Sequence, residues 1–490
     1  MSSPVASVPD MLEIGDVVAI PLPLGGYGAC QVTAAGERLT VCVLDWRSDA
    51  VPALDDVRSA GPLRVDHHSW CGDPEVVDVP ADEQLPADAV RLGRLPVRPE
   101  LPEASTAYGS WPGIGLQVVL QRRWELEVPG AVREAYKRAG HGRVQVDLGG
   151  GAVTRSAALP ALDLRDHAGD VRWEGLDALP RLTQLSWRGP ERGLLAALEA
   201  RPLITALRWE DPPEIVDLSR TGLHGLTLVA GAGPRRVVLP PGLMTLWLQG
   251  GAPEAVEAAA EGRWIRLTMR SGVPRGLRGV RDLAVEASGD VTGASLGDVE
   301  GLERLSVRWG RPYGGLAGLD AHPRLHTLEL ADAYGVEPSM LPAPGGPLRL
   351  LRVDGFRSSR SRAVRQRYQG TGVSVEIRGA KPDRWLATNL DNPLRDWVDD
   401  HKRAGEAACR AYAAASRAIA ALDVHDPGAV ADARPILQSF VETLNGIEER
   451  YEMIDTLRRE EAGEAFFLLA EGAGVPPSEA EAWFGDWREF

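Results

Sequence analysis

Between residues 159 and 353 one short phrase recurs ten times, apolar at its first, fourth and sixth places. The copies begin at Leu159, Leu182, Ile204, Leu223, Leu243, Trp264, Val280, Leu302, Leu325 and Leu348. In Leu182-Thr183-Gln184-Leu185-Ser186-Trp187 and Leu325-His326-Thr327-Leu328-Glu329-Leu330 the fourth and sixth side chains share a face, the period of two that a strand requires. The pattern predicts short parallel strands whose inward row is Leu185, Leu207, Leu226, Leu246, Leu267, Leu283, Leu305, Leu328 and Leu351. Trp187 and Trp209, at sixth places, are predicted core. One copy alone cannot bury its apolar face, and stacking copies does.

The third, fifth and seventh places then point away from that core. They present Thr245, Trp247 and Gln249; Arg266, Thr268 and Arg270; Asp282, Ala284 and Glu286; Arg304, Ser306 and Arg308. Tryptophan and arginine are the side chains most enriched at binding hot spots, and the planar guanidinium can take a carboxylate with two hydrogen bonds. Trp247, Arg266, Arg270, Arg304 and Arg308 are therefore the candidate partner-binding residues. The alternative is that Trp247 packs on its neighbours and the arginines pair with Asp282 and Glu286.

The phrase and its steps of 16 to 23 residues resemble degenerate bacterial leucine-rich-repeat proteins, whose repeats run about 20 to 29 residues. The resemblance implies a curved solenoid with a binding surface on its concave side. Before the repeats, Val17, Val18 and Ile20, then Cys30 and Val32, then Leu39, Val41, Val43 and Leu44 form β-prone runs broken by Pro21 to Gly26 and by Ala35-Gly36-Glu37. Within them, Ile14 to Leu22 followed by Gly26-Tyr27-Gly28-Ala29-Cys30-Gln31-Val32 resembles the opening of the immunity protein 26 family of bacterial polymorphic-toxin systems. That likeness implies a domain that recognises a protein, a toxin among the candidates, and performs no chemistry. After the repeats the chain reads helical from Pro393, with a break at Asp426-Pro427-Gly428. Phe440, Leu444, Ile447, Tyr451 and Ile454 are spaced four and three apart, the seam of one helix against another. Asn392-Pro393-Leu394-Arg395-Asp396-Trp397 is similar to a segment of uncharacterised actinobacterial repeat proteins. The expected fold is multidomain α+β: a small β-barrel-like domain over residues 1–125, a leucine-rich-repeat solenoid over 126–380, and a helical hairpin or bundle over 381–490.

Charge sharpens the partner class. The net charge of −15 is carried by the ends. Residues 1–125 hold 9 basic and 18 acidic side chains and 381–490 hold 12 and 22, against 30 and 27 in 141–380. Acidic ends argue against a nucleic-acid binder and offer no attraction to anionic lipid. No apolar run reaches the length of a membrane span, and Met1 to Leu12 resembles no signal peptide, so a cytoplasmic protein is expected. Lysine occurs only at 137, 381 and 402, and the arginine, alanine and glycine bias resembles proteins of high-GC bacteria such as actinobacteria. Cys30, Cys42, Cys71 and Cys409 lack metal or disulfide spacing and read as reduced thiols.

Candidate chemistry is sparse. There is no GxxxxGK[ST] loop, HExxH helix, GxSxG elbow or strand-linked GxGxxG. Asp66-His67-His68-Ser69-Trp70-Cys71 contains metal-ligand types, but adjacent ligands rarely converge, and a loop of solvated or capping side chains is the expectation. Glu448, Glu449, Glu460, Glu461 and Glu464 are expected on a solvated helix face, as are Asp399, Asp400 and His401. The expectation is a non-enzymatic protein-binding protein, with no cofactor and no metal, that serves as an immunity or adaptor protein. The alternatives are a regulatory scaffold joining two cellular proteins, with a small GTPase among the candidates, and an enzyme whose site carries no known motif.

Overall fold

The structure is a computed structural model that describes residues 12–490 other than 82, 84, 87, 271, 298, 424, 425 and 427. Residues 1–11, read above for a leader, and Pro427 of the expected helix break lie outside it. The chain divides into two compact units. One comprises the chain up to Pro312 with Leu316–Glu329 and Gly345–Leu350; the other comprises Tyr313–Gly315, Leu330–Pro344 and Leu351–Phe490.

The first unit begins with five antiparallel strands, β1 (Asp16–Pro21), β2 (Tyr27–Ala35), β3 (Arg38–Ser48), β4 (Val76–Pro80) and β5 (Val90–Arg94), in the order β4-β3-β2-β1-β5. The turn into β2 depends on Gly26, whose φ is +77° and whose missing Cβ would lie 2.4 Å from the Ser48 carbonyl oxygen. Both faces of the sheet are covered. Val18, Ile20, Val32 and Val41 pack under Trp111, Ile114 and Val118 of α1 (Trp111–Leu126), while Val17, Ala29, Cys42 and Leu44 pack with Val57, Leu95 and Leu101. The expected barrel is corrected to an open sheet: among the described residues β4 and β5 remain its edges. A second helix, α2 (Gly130–Arg138), follows.

The repeats supply the strands of one eleven-stranded sheet, in sequence order: β6 (Ala161–Leu164), β7 (Gln184–Arg188), β8 (Ala206–Glu210), β9 (Gly225–Ala230), β10 (Thr245–Gly250), β11 (Arg266–Met269), β12 (Asp282–Thr292), β13 (Arg304–Ala317), β14 (Thr327–Ala331), β15 (Leu350–Asp354) and β16 (Ser374–Arg378). From β6 to β12 every pair is parallel and in register, so Leu162, Leu185, Leu207, Leu226, Leu246, Leu267 and Leu283 form one buried row. Leu164, Trp187, Trp209, Leu228, Leu248, Met269 and Val285 form the next. The tryptophans also bind the connections: the indole N–H groups of Trp187, Trp209 and Trp309 donate to the carbonyls of Pro190, Gly189 and Gly289 at 2.8 to 3.0 Å.

The expected leucine-rich-repeat solenoid is not what this chain forms. The architecture is mixed α/β around an eleven-stranded sheet, and the connections show why the repeat phrase misled. A solenoid needs coils of one kind. Here one connection is the helix α3 (Leu194–Glu199), and three others carry the strands Ile215–Asp217, Arg236–Val238 and Ala255–Glu257 of a separate parallel sheet. Later strands lengthen to 11 residues in β12 and 14 in β13. The apolar phrase fixes strand register alone; each connection takes its own local preference.

The second unit carries α4 (Ser358–Tyr368), α5 (Lys402–Ala420), α6 (Ala429–Tyr451), α7 (Thr456–Gly472) and α8 (Pro477–Trp487). Phe440, Leu444 and Ile447 of α6 are buried with Ile454, Ala462, Phe466 and Leu469 and with Phe484 of α8. His401 Nδ1 accepts from the Ala404 N–H and Asp455 Oδ1 from the Arg458 N–H, capping α5 and α7. Asn392 accepts from Leu394 N–H and donates to the Cys409 carbonyl, so the Asn392–Trp397 motif is a buried brace within this unit. The acidic residues near it are partnered: Asp399 with Lys381, Asp400 with Arg458, and Glu461 with both Arg458 and the Trp397 indole at 2.7 Å. Among the described residues no helix is long and apolar enough to cross a membrane.

Candidate binding face

Parallel in-register pairing decides what stands beside each outward side chain. Trp247 lies in the row Arg208, Thr227, Trp247, Thr268, Ala284, between two short threonines. Its side chain is 38% exposed, and among the described residues it stacks on no other ring. Flanked by two threonines, the indole keeps part of its surface open to solvent.

The candidate arginines are brought to this same face, and Arg266, Arg270 and Arg304 each have an acidic neighbour. Arg270 Nε lies 2.7 Å from Glu286, and Arg266 lies 3.8 Å from Asp282. Arg304 lies 2.9 Å from Glu83 and 3.6 Å from Glu329. Arg308 is exposed. The side chains of Arg266 and Arg270 keep more than half their surface, at 57% and 61%. Exposed pairs of this kind contribute about 0 to 1 kcal/mol. A partner carboxylate can therefore compete with Glu286 for Arg270, whereas Asp282 is largely buried and would lose its cation if Arg266 turned away.

A second cluster on the face was not singled out from the sequence. Glu210, almost buried at the end of β8, accepts from Arg165 at 3.0 Å, Arg188 at 2.7 Å and Arg208 at 3.1 Å. Burial alone would raise its carboxyl; hydrogen bonds from the three guanidinium groups overrule it and hold the group at about 2. Arg208 also donates to Gln249 Oε1 at 3.1 Å, which links the cluster to the strand of Trp247. Only the facing of three strands brings these residues together. The one available signal was that Arg188 and Glu210 occupy the same place in successive phrases.

The rim at the strands' N-terminal ends is occupied by the N-terminal half of the same unit. Arg123 of α1 donates to His224 Nε2 at 2.8 Å, and Gly242 permits the approach, since a Cβ there would lie 2.8 Å from the Arg123 guanidinium. The histidines of the Asp66–Cys71 cluster sit nearby in the fold. His67 Nε2 meets Gln117 Oε1 at 2.8 Å, His67 and His68 share Nδ1 contacts at 3.1 Å, and His68 lies against Trp124 and Tyr136. Gln121 accepts from the backbone N–H groups of Asp66 and His67. Among the described residues no group of three or more histidine, cysteine, aspartate or glutamate side chains is placed to hold a metal ion. Asp66, Ser69, Trp70 and Cys71 are exposed on a loop, while His67 and His68 pack inward against α1 and α2.

Burial, reinforced by neighbouring cationic or histidine groups, lowers His224 to about 3 and His68 to about 4. A base whose folded pKa lies below its unfolded value near 6.5 contributes full stability above that value, because below it only the unfolded chain binds the proton. Stability should thus fall as pH drops from about 6.5 towards 4. His224→Gln, which keeps an acceptor for Arg123 and cannot titrate, should show a flatter melting temperature between pH 7 and 4.5; equal slopes for variant and wild type would refute the role of His224.

Cys30, Cys42 and Cys409 are buried and Cys71 is exposed, all free, and burial pushes Cys42 and Cys409 up to about 12. No known protein family matches the chain, and no curated protein matches it.

Proposed function

We propose that the chain is a non-enzymatic protein-binding protein whose open sheet face receives an acidic surface of a protein partner. The carrying observation is Trp247, part-exposed between Thr227 and Thr268 with Arg266 and Arg270 on the next strand. An aromatic anchor beside two guanidinium groups that keep more than half their surface suits a carboxylate-bearing protein surface. The resemblance of residues 14–32 to immunity proteins supports a role as an immunity or adaptor protein in a bacterial conflict system, with a toxin as the partner.

The test is capture of the native partner from the host by the full chain and by two variants. Truncating an anchor of this kind costs about 2 kcal/mol, roughly a thirtyfold loss of affinity. Trp247→Ala and Arg270→Ala should each weaken capture to that extent with the melting temperature nearly unchanged, because neither side chain is core. Undiminished capture by both variants would move recognition off the sheet face.

A further inference from the structure

The segment between β4 and β5 puts acidic side chains of this chain onto its own arginines. Ala81, Leu85 and Ala89 pack against the N-terminal core, which holds the segment in place. Between them, Glu83 reaches Arg304 at 2.9 Å, and Asp88 pairs with Arg281 at 2.7 Å and with Arg263. These arginines lie at or just before the first residues of β11, β12 and β13, along one rim of the sheet. Glu83 and Arg304 are 221 residues apart in the chain, so the contact belongs to the tertiary fold.

The contact is ionic and incompletely satisfied. Arg263 Nε is buried there without a hydrogen-bond partner, and Glu303 Oε1 meets Arg281 Nε at 3.4 Å outside hydrogen-bond geometry. Desolvated ion pairs gain little net free energy, and less when polar atoms are left over. An incoming carboxylate would replace Glu83 or Asp88 like for like, so the exchange itself costs little. What holds the internal segment is the packing of Ala81, Leu85 and Ala89 together with its tether, the latter equivalent to an effective concentration of about millimolar.

We propose that Glu83 and Asp88 are an internal stand-in for an extended acidic segment of the partner, which binds Arg263, Arg281 and Arg304 by displacing them. The inference rests on the protein-binding function proposed above and names both the chemistry of the partner and the way the chain restrains its own site. A partner that also engages Trp247 outcompetes the tether; a bare acidic segment competes poorly.

The experiment uses the full chain and fluorescein-labelled hexaglutamate, followed by anisotropy at low ionic strength. Glu83→Gln/Asp88→Asn should bind this probe about tenfold more tightly than wild type, which corresponds to 1.4 kcal/mol. Neutralising Glu479 and Glu481 instead makes the same change in net charge and should leave the affinity at the wild-type value. Equal affinity of wild type and the Glu83/Asp88 variant, or an equal gain in the Glu479/Glu481 control, would overturn the proposal. Should the variant fail to fold, wild type alone decides: saturating hexaglutamate should speed backbone hydrogen exchange at Glu83 and Ala89, whose N–H groups bond the Pro80 and Pro86 carbonyls, and unchanged exchange would overturn it. Neither outcome bears on capture of the native partner through Trp247 and Arg270, so the two proposals fail separately.

Discussion

Trp209→Ala should destabilise the first unit by about 3 to 5 kcal/mol, among the largest losses expected of any single truncation in the sheet. Trp209 is fully buried, between Trp187 and Leu228 in its row. Its removal empties a space bounded by strands fixed in register on both sides, which restricts collapse. It also leaves the Gly189 carbonyl without the indole donor at 2.8 Å. Trp209→Phe separates the two contributions: it keeps most of the apolar volume and loses the hydrogen bond, for which about 1 kcal/mol is expected beyond the smaller ring's lost contacts. Urea unfolding of the three proteins measures both. A loss below about 1 kcal/mol for the alanine variant would mean that the sixth-place row is not core.

The sheet was legible because its signal is local. Apolar side chains at the fourth and sixth places define which face of each strand is inward, and repetition of that phrase sets neighbouring leucines opposite one another, as Leu185, Leu207 and Leu226 are. Outward places were legible for the same reason, and Trp247, Arg266 and Arg270 do share a face. What the phrase could not specify was the connections, where no repeated residue enforces one conformation. Helix α3 and the three-residue strands at Ile215, Arg236 and Ala255 arise from local preference. The partners of charged groups were equally hidden. Glu83 with Arg304, Arg123 with His224, and Glu210 with Arg165 are chosen by tertiary proximity, and nothing in a window of ten or twenty residues distinguishes them from solvated charges. Glu461 shows the same point within the helices: its polar neighbours suggested a solvated face, yet it accepts from the buried Trp397.

Arg395→Leu should cost the second unit about 3 to 5 kcal/mol, because it breaks a buried ion pair from one side. Arg395 is only 8% exposed. Its guanidinium pairs with Asp332, donates to the Tyr313 hydroxyl at 2.6 Å and to the Leu390 carbonyl at 3.0 Å, and lies over the Tyr313 and Tyr334 rings at 5.5 and 5.2 Å from their centroids. Leucine restores some apolar contact but strips the Asp332 carboxylate of its guanidinium in a poorly solvated setting. The charge left behind dominates the loss. Arg395→Leu/Asp332→Asn removes that charge and should therefore recover part of the stability, although the first substitution alone already deletes every Arg395 hydrogen bond. Arg395→Lys keeps the charge without the planar fork and should fall between wild type and leucine. Because the chain has two compact units, one melting temperature is not a sufficient readout. Hydrogen exchange measured separately over residues 330–344 and 351–490 reports the second unit directly. If the double variant is no more stable than Arg395→Leu, the uncompensated carboxylate is not the source of the loss, and the hydrogen bonds and ring contacts of Arg395 carry it instead.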